Sequence, residues 1–229
     1  MRLRLGCVLL GMTGSSAVLA GLALLPVSYY LPHEKPVLIL PIDAKYDGTV
    51  AIMPMGERIM HPNDPSGHPG IDFIFSATTE KVPYIASMSG LITKVRAYEN
   101  QHVLLPGRIM ISKKLVDVVI TEGPYQTVYS ELDGESLPTR IRFGAKIHQG
   151  DMVGYGSLTA VEGTPALMEM IHWEFGSTSP LIDRFCPLTY FAPASLAWIE
   201  AVWAHSDWLE MKAQYPKICN GDYDGKGEQ

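Results

Sequence analysis

The chain has 229 residues, of which 47% are hydrophobic, and its 18 Lys and Arg against 24 Asp and Glu give a formal net charge of −6. That length holds one sizeable core with an N-terminal segment left outside it. The acidic balance, and the lack of any basic run interleaved with aromatics, excludes the footprint of a phosphate-backbone binder, so nucleic acid is not an expected partner.

In chain order, the first element is an export segment. Arg2 and Arg4 precede a stretch from Leu5 to Pro26 without a charged residue, which at about 20 residues suits both a signal-peptide core and a membrane anchor. Val18 and Ala20 before Gly21 would serve a cleavage site, and the two arginines would hold the cytoplasmic end of an anchor. Residues 1–30 are therefore read as signal peptide or anchor, and the rest as exported, periplasmic or anchored facing the cell exterior. Cys7 lies in that segment, which leaves Cys186 and Cys219 as an even pair in an oxidising compartment. They form either a bridge, contributing roughly 3 kcal/mol, or two buried thiols.

Residues 31–48, with Pro32, Pro36 and Pro41 around the apolar run Val37–Leu40, read as a linker leading into a first strand. Over 49–180 short apolar or alternating runs follow one another between turn residues: Ile71–Phe75, Tyr84–Ala86, Gly90–Arg96, Arg108–Ile111, Leu115–Thr121, Gln126–Leu132, Met152–Tyr155 and Met168–Phe175. Many short strands without a helix-period segment predict a mostly β domain, an antiparallel sandwich or barrel-like sheet. Residues 181–229 form a C-terminal extension in which Leu196, Ile199, Val202, Trp203 and Leu209 predict one helix over 194–213, its Trp stripe a packing face.

Two segments carry chemistry. His68-Pro-Gly-Ile-Asp72-Phe offers an imidazole and a carboxylate from one short turn, a combination that zinc accepts. In Met168–Phe175, alternation puts Met168, Met170, His172 and Glu174 on one face of a strand, so His172 is the candidate third ligand. Two histidines and one carboxylate leave the fourth tetrahedral position open, where zinc acidifies water. Glu174, on the face of His172, is a candidate to orient that ligand. His61, His102, His148 and His205 have no partner pattern and read as surface or hydrogen-bonded residues.

From about Pro54 to Phe175 the sequence resembles the lysostaphin-type, or LytM-like, zinc metallopeptidases, which cut peptide cross-links in bacterial peptidoglycan. The resemblance rests on segments in order: the lead-in Met55-Gly-Glu-Arg-Ile59; His68-Pro-Gly-Ile-Asp72-Phe73; Val82–Ile92 as a hairpin; Val128-Tyr-Ser-Glu131-Leu132; the Gly144–Gly156 hairpin; and His172-Trp-Glu-Phe175. It implies zinc held by His68, Asp72 and His172. It also implies two proton-handling histidines that do not bind the metal, and both are replaced here, by Glu131 and by Met170. Methionine cannot take that role, whereas Glu131 is a candidate base. Two functions follow as expectations. One is a zinc metalloendopeptidase-like protein acting on peptidoglycan or a peptide; the other is a degenerate relative that binds peptidoglycan or regulates a cell-wall hydrolase. The Gly-containing hairpins also resemble lipoyl- and biotinyl-type sandwich domains, but the lysine turn those domains modify is missing.

Overall fold

The computed structural model describes residues 34–43, 49–76, 81–104, 109–160, 167–178, 183–206 and 208–226. Residues 1–33, where the sequence predicts an export segment, lie outside the described residues. From Lys35 onward the chain forms one compact unit. Its strands are β1 (Thr49–Met53), β2 (Ile71–Ser76), β3 (Pro83–Ile85), β4 (Gly90–Leu104), β5 (Ile109–Glu122), β6 (Tyr125–Asp133), β7 (Lys146–Ile147), β8 (Met152–Tyr155), β9 (Ser157–Ala160), β10 (Leu167–Ser177) and β11 (Asp183–Arg184). Two helices follow, α1 (Pro193–His205) and α2 (Leu209–Gln214).

The fold is mostly β, and every pairing of named strands is antiparallel. One sheet runs β1-β2-β10-β6-β5-β4-β7, with β9 and β11 also paired to β10, and β3 and β8 form a small second sheet. Alternation explains which face is packed. Ile171, Trp173 and Phe175 of β10 and Ile71, Phe73 and Phe75 of β2 point into the core and are fully shielded. Tyr129 is core too, its hydroxyl accepting from Ser87 N–H at 2.6 Å and donating to Ile85 carbonyl at 2.9 Å. Trp173, stacked on Phe191 at 5.7 Å, likewise packs inside rather than lining a groove.

Residues 35–43 pack against this core. Leu38, Leu40 and Ile42 are buried, and Leu38 pairs in parallel with Phe191 while Ile42 pairs with Tyr84. The runs expected at Gly90–Arg96 and Leu115–Thr121 are longer than their hydrophobic pattern, because β4 and β5 pair from Leu91↔Thr121 out to Leu104↔Ile109. β6 backs only the part of β5 from Leu115 to Glu122, so the rest of that ribbon needs no apolar alternation. The helical span expected over 194–213 is interrupted at Ser206, whose ψ of 130° leaves the helix. Ser195, Ile199 and Trp203 form the buried face of α1, which makes the Trp stripe a packing face.

The C-terminal segment returns to the front of the chain. Cys186 and Cys219 are bridged, with Cα atoms 5.8 Å apart. Beside the bridge, Cys219 pairs in parallel with Met55, Met55 N–H donates to Ile218 carbonyl at 2.9 Å, and Asn220 N–H donates to Met55 carbonyl at 3.1 Å.

Candidate metal centre

The loop between β1 and β2 places the first ligand. Gly56 sits at φ +79°, in the left-handed region, and a Cβ there would lie 2.3 Å from Asn220 carbonyl oxygen. Glycine therefore satisfies both the turn and the close tail. Gly56 N–H donates to His68 carbonyl and His68 N–H donates to Glu57 carbonyl, each at 2.9 Å. The two-way bond pins the His68 backbone. β2 then supplies Asp72, and the β2–β10 register sets His172 directly opposite it.

These three residues converge. His68 Nε2 lies 2.9 Å from His172 Nδ1 and 3.1 Å from Asp72 Oδ1, and His172 Nδ1 lies 2.8 Å from the same oxygen. Among the described residues they are the one group of this kind able to hold a metal ion. The remaining ring nitrogens are already engaged: His68 Nδ1–H donates to Pro54 carbonyl at 3.2 Å, and His172 Nε2–H donates to Glu174 Oε1 at 3.0 Å. Glu174 is held in turn by Arg184 Nε at 2.6 Å. Those outer bonds fix both tautomers, so two imidazole lone pairs and a carboxylate face one point. Three acceptors aimed at each other in a buried place require a cation between them. The triangle edges are slightly shorter than the roughly 3.3 Å expected between ligands of tetrahedral zinc at about 2.0 Å, so the residues fit zinc with a small outward adjustment.

Without metal, a proton does this work. Burial alone would lower the pKa of His172, but its bonds to Asp72 and Glu174 outweigh that and push it up to about 10. Burial would raise Asp72, yet the neighbouring His68 and His172 hold its carboxyl well below the usual carboxylate range. Glu174 is likewise lowered by His172 and Arg184 against the effect of burial. A metal ion entering the triangle therefore displaces a proton from His172.

Glu131 borders the same place. Residues Ser130 and Glu131 of β6 stand opposite the single residue Asp117 of β5, a bulge in the ladder, and Glu131 has φ +64°, the one described non-glycine residue in the left-handed region. Bulges of this kind re-aim side chains. Burial, and next the charge of Asp72, push the Glu131 carboxyl above its ordinary value. Met170 occupies the position two residues before His172 on β10 and pairs with Ile74. Beyond Ser130 and Glu174, a trough of about 390 Å³ crosses the sheet toward Arg96 and Asp117.

The structure thus brings together His68, Asp72 and His172, with Glu174 supporting as the alternation suggests. His148 and His205 stand apart, on Asp151 at 3.7 Å and Ala201 carbonyl at 2.7 Å. The Pro54 carbonyl and Arg184 were not visible in the sequence, since neither belongs to a motif. His61, read as a surface or hydrogen-bonded residue, is hydrogen-bonded to Glu57, a partner that the spacing of four could have pointed to.

Gly70 adds a check on this geometry. A Cβ built there lies 2.5 Å from Trp173 carbonyl oxygen and 2.7 Å from His172 Cε1. Gly70→Ala is expected to push the His172 ring out of the triangle, lowering metal affinity by at least about 10-fold and destabilising the fold by about 1–3 kcal/mol. Chelator competition and thermal melting measure the two effects, and an unchanged affinity would mean that the ring has room the structure does not show.

No protein-family model matches the chain, and no curated protein does. Among solved structures it is similar to a zinc-containing peptidase from Vibrio cholerae, at 16% identity over 66% of this chain and 39% of that one, TM-score 0.41. It is similar to the catalytic domain of the antimicrobial peptidase lysostaphin from Staphylococcus simulans, at 14% identity over 65% of this chain and 97% of that one, TM-score 0.39. A third likeness is to Helicobacter pylori Csd3, at 15% identity over 69% of this chain and 33% of that one, TM-score 0.39. The chain spans well under half the length of the Vibrio and Helicobacter proteins. Likeness at this level leaves the chemistry to be read from the chain's own residues.

Proposed function

We propose that this chain is an exported zinc metallopeptidase-like protein that acts on the peptide cross-links of peptidoglycan, with zinc held by His68, Asp72 and His172. The observation that carries the reading is the triangle of three acceptor atoms 2.8–3.1 Å apart whose outer hydrogen bonds already select the ligating tautomers. Zinc there would supply Lewis acidity toward a peptide carbonyl. The chain's own groups do the rest. Glu174 and Arg184 orient the His172 ring, Asp72 supplies the anionic ligand, and the Glu131 carboxylate, re-aimed by the bulge, accepts and returns a proton. The trough beside Ser130 and Glu174 is where an extended peptide would lie.

A second reading has its own support. Glu131 and Met170 stand where the family resembled in sequence has proton-handling histidines, which favours a relative that binds peptidoglycan, or regulates a cell-wall hydrolase, without cutting. Metal content of the purified chain and peptide release from peptidoglycan, before and after chelation, separate the two. One equivalent of zinc with chelator-sensitive release is the expected result, and Glu131→Gln should then lower release by about 100-fold or more while keeping the metal. Zinc without release would establish the binding role, and full release by Glu131→Gln would remove Glu131 from the chemistry.

A further inference from the structure

The loop ahead of His68 contains a fully buried carboxylate with no part in the metal triangle. Glu57 is shielded from solvent. Its Oε2 accepts Ile59 N–H at 2.8 Å and Met60 N–H at 3.0 Å, and its Oε1 accepts from His61 Nδ1. Burying a carboxylate is costly unless every lone pair is used, and here both oxygens are spent on the turn that presents His61. The His61 ring is then stacked on His68, centroids 4.6 Å apart and planes within 21°. Its side chain stays 38% exposed, so burial of His61 itself does not account for the arrangement.

His68 needs such a contact. Its ring is a ligand on one side, and on the other it is held by a single bond to Pro54 carbonyl at 3.2 Å. One hydrogen bond fixes the direction of Nδ1–H but not rotation of the ring about that axis, which would swing Nε2 across the triangle and is limited by the groups packed around this buried ring. A second ring lying nearly parallel is one of those groups and opposes that rotation. We propose that Glu57 and His61 form a brace that sets the plane of His68 and thereby the metal affinity of the site, His61 acting as a positioning residue. This rests on the zinc reading above and adds to it a determinant outside the three ligands. Groups that orient a metal ligand typically govern affinity by 10- to 100-fold.

The test uses the full chain with zinc, and with cobalt as its spectroscopic stand-in. His61→Gln keeps a donor for Glu57 but loses the ring, so its metal-free melting temperature should stay within about 2 °C of wild type. Its zinc dissociation constant, from competition with a chromophoric chelator, should rise about 10- to 100-fold. His61→Phe restores the stacked ring without the hydrogen bond and should recover part of that loss. Cobalt bound in place of zinc should show a shifted visible absorption band in His61→Gln, because the ligand field follows the angle of His68. Wild-type zinc affinity together with a wild-type cobalt band in His61→Gln would overturn the brace. So would a loss of affinity no larger than a parallel fall in metal-free stability. If wild type itself takes up no zinc, the zinc reading fails and the brace with it. Zinc bound by wild type, with both affinity and cobalt band unchanged in His61→Gln, defeats the brace alone.

Discussion

Replacing His172 by alanine is expected to leave the purified chain without stoichiometric zinc. Nδ1 of that residue is the one atom within 2.9 Å of both other ligands, and its loss leaves a single imidazole and a carboxylate, which is too few for a buried zinc site. Since groups that merely orient a ligand are worth about 10- to 100-fold, losing the ligand should cost more than about 100-fold in affinity. His68→Ala should do the same. The two variants differ in what they leave behind. Without His172, Glu174 keeps Arg184 as its partner at 2.6 Å, so the sheet should survive. Without His68, the loop loses its ring against Pro54 and His61 loses the ring it stacks on, so a larger local loosening is expected. Metal analysis and chelator competition measure both, and full zinc in both variants would refute the metal centre altogether.

Removing the Cys186–Cys219 bridge is expected to have the second large effect. The cysteines are 33 residues apart, and the loop-closure entropy restored to the unfolded chain amounts to about 3–4 kcal/mol. For a domain of this size that lowers the melting temperature by roughly 10 °C. The effect should not stop at stability. Cys219 pairs with Met55, and Met55 stands between Pro54, which holds the His68 ring, and Gly56, which holds the His68 backbone. Tyr215 hydroxyl also accepts Arg58 N–H at 2.7 Å. A Cys186→Ser/Cys219→Ser double variant should therefore bind zinc more weakly than wild type, at temperatures where both remain folded. Unchanged affinity with lowered stability would confine the bridge to stapling the tail.

Much of this was legible in the sequence, for reasons that can be named. His68 and Asp72 come from one short segment whose turn residues and strand start can be read locally. The β10 alternation could be read directly, so His172 and Glu174 fell on one face and Trp173 on the other. The Cys186–Cys219 bridge was one of the two readings that an even pair of cysteines beyond Cys7 allowed. What escaped depends on strand register and backbone conformation, which the side-chain pattern does not encode. The Glu131 bulge exists only in the register between β5 and β6, and no single strand shows how many residues face its neighbour. The outer half of the β4–β5 ribbon is held by backbone pairing, so the sequence showed separate runs at 108–111 and 115–121 where β5 is one strand. The helix break at Ser206 is a backbone event inside a continuous apolar pattern. The stack of His61 on His68 required a loop conformation that Glu57 sets through main-chain N–H groups.

The pairing of Met55 with Cys219 also bears on when the site can be made. Residues near the front of the chain receive their outer support from a segment more than 160 positions later, as in the bond from Asn220 Nδ2 to Met55 carbonyl at 3.2 Å across 165 residues. A polypeptide emerging from its N-terminal side presents His68 long before residues 215–220 exist to buttress the loop around it. Contacts this distant in sequence form late in folding. Zinc is thus expected to be captured only once residues 215–220 have docked on the Met55 loop, and bound metal would report on that docking.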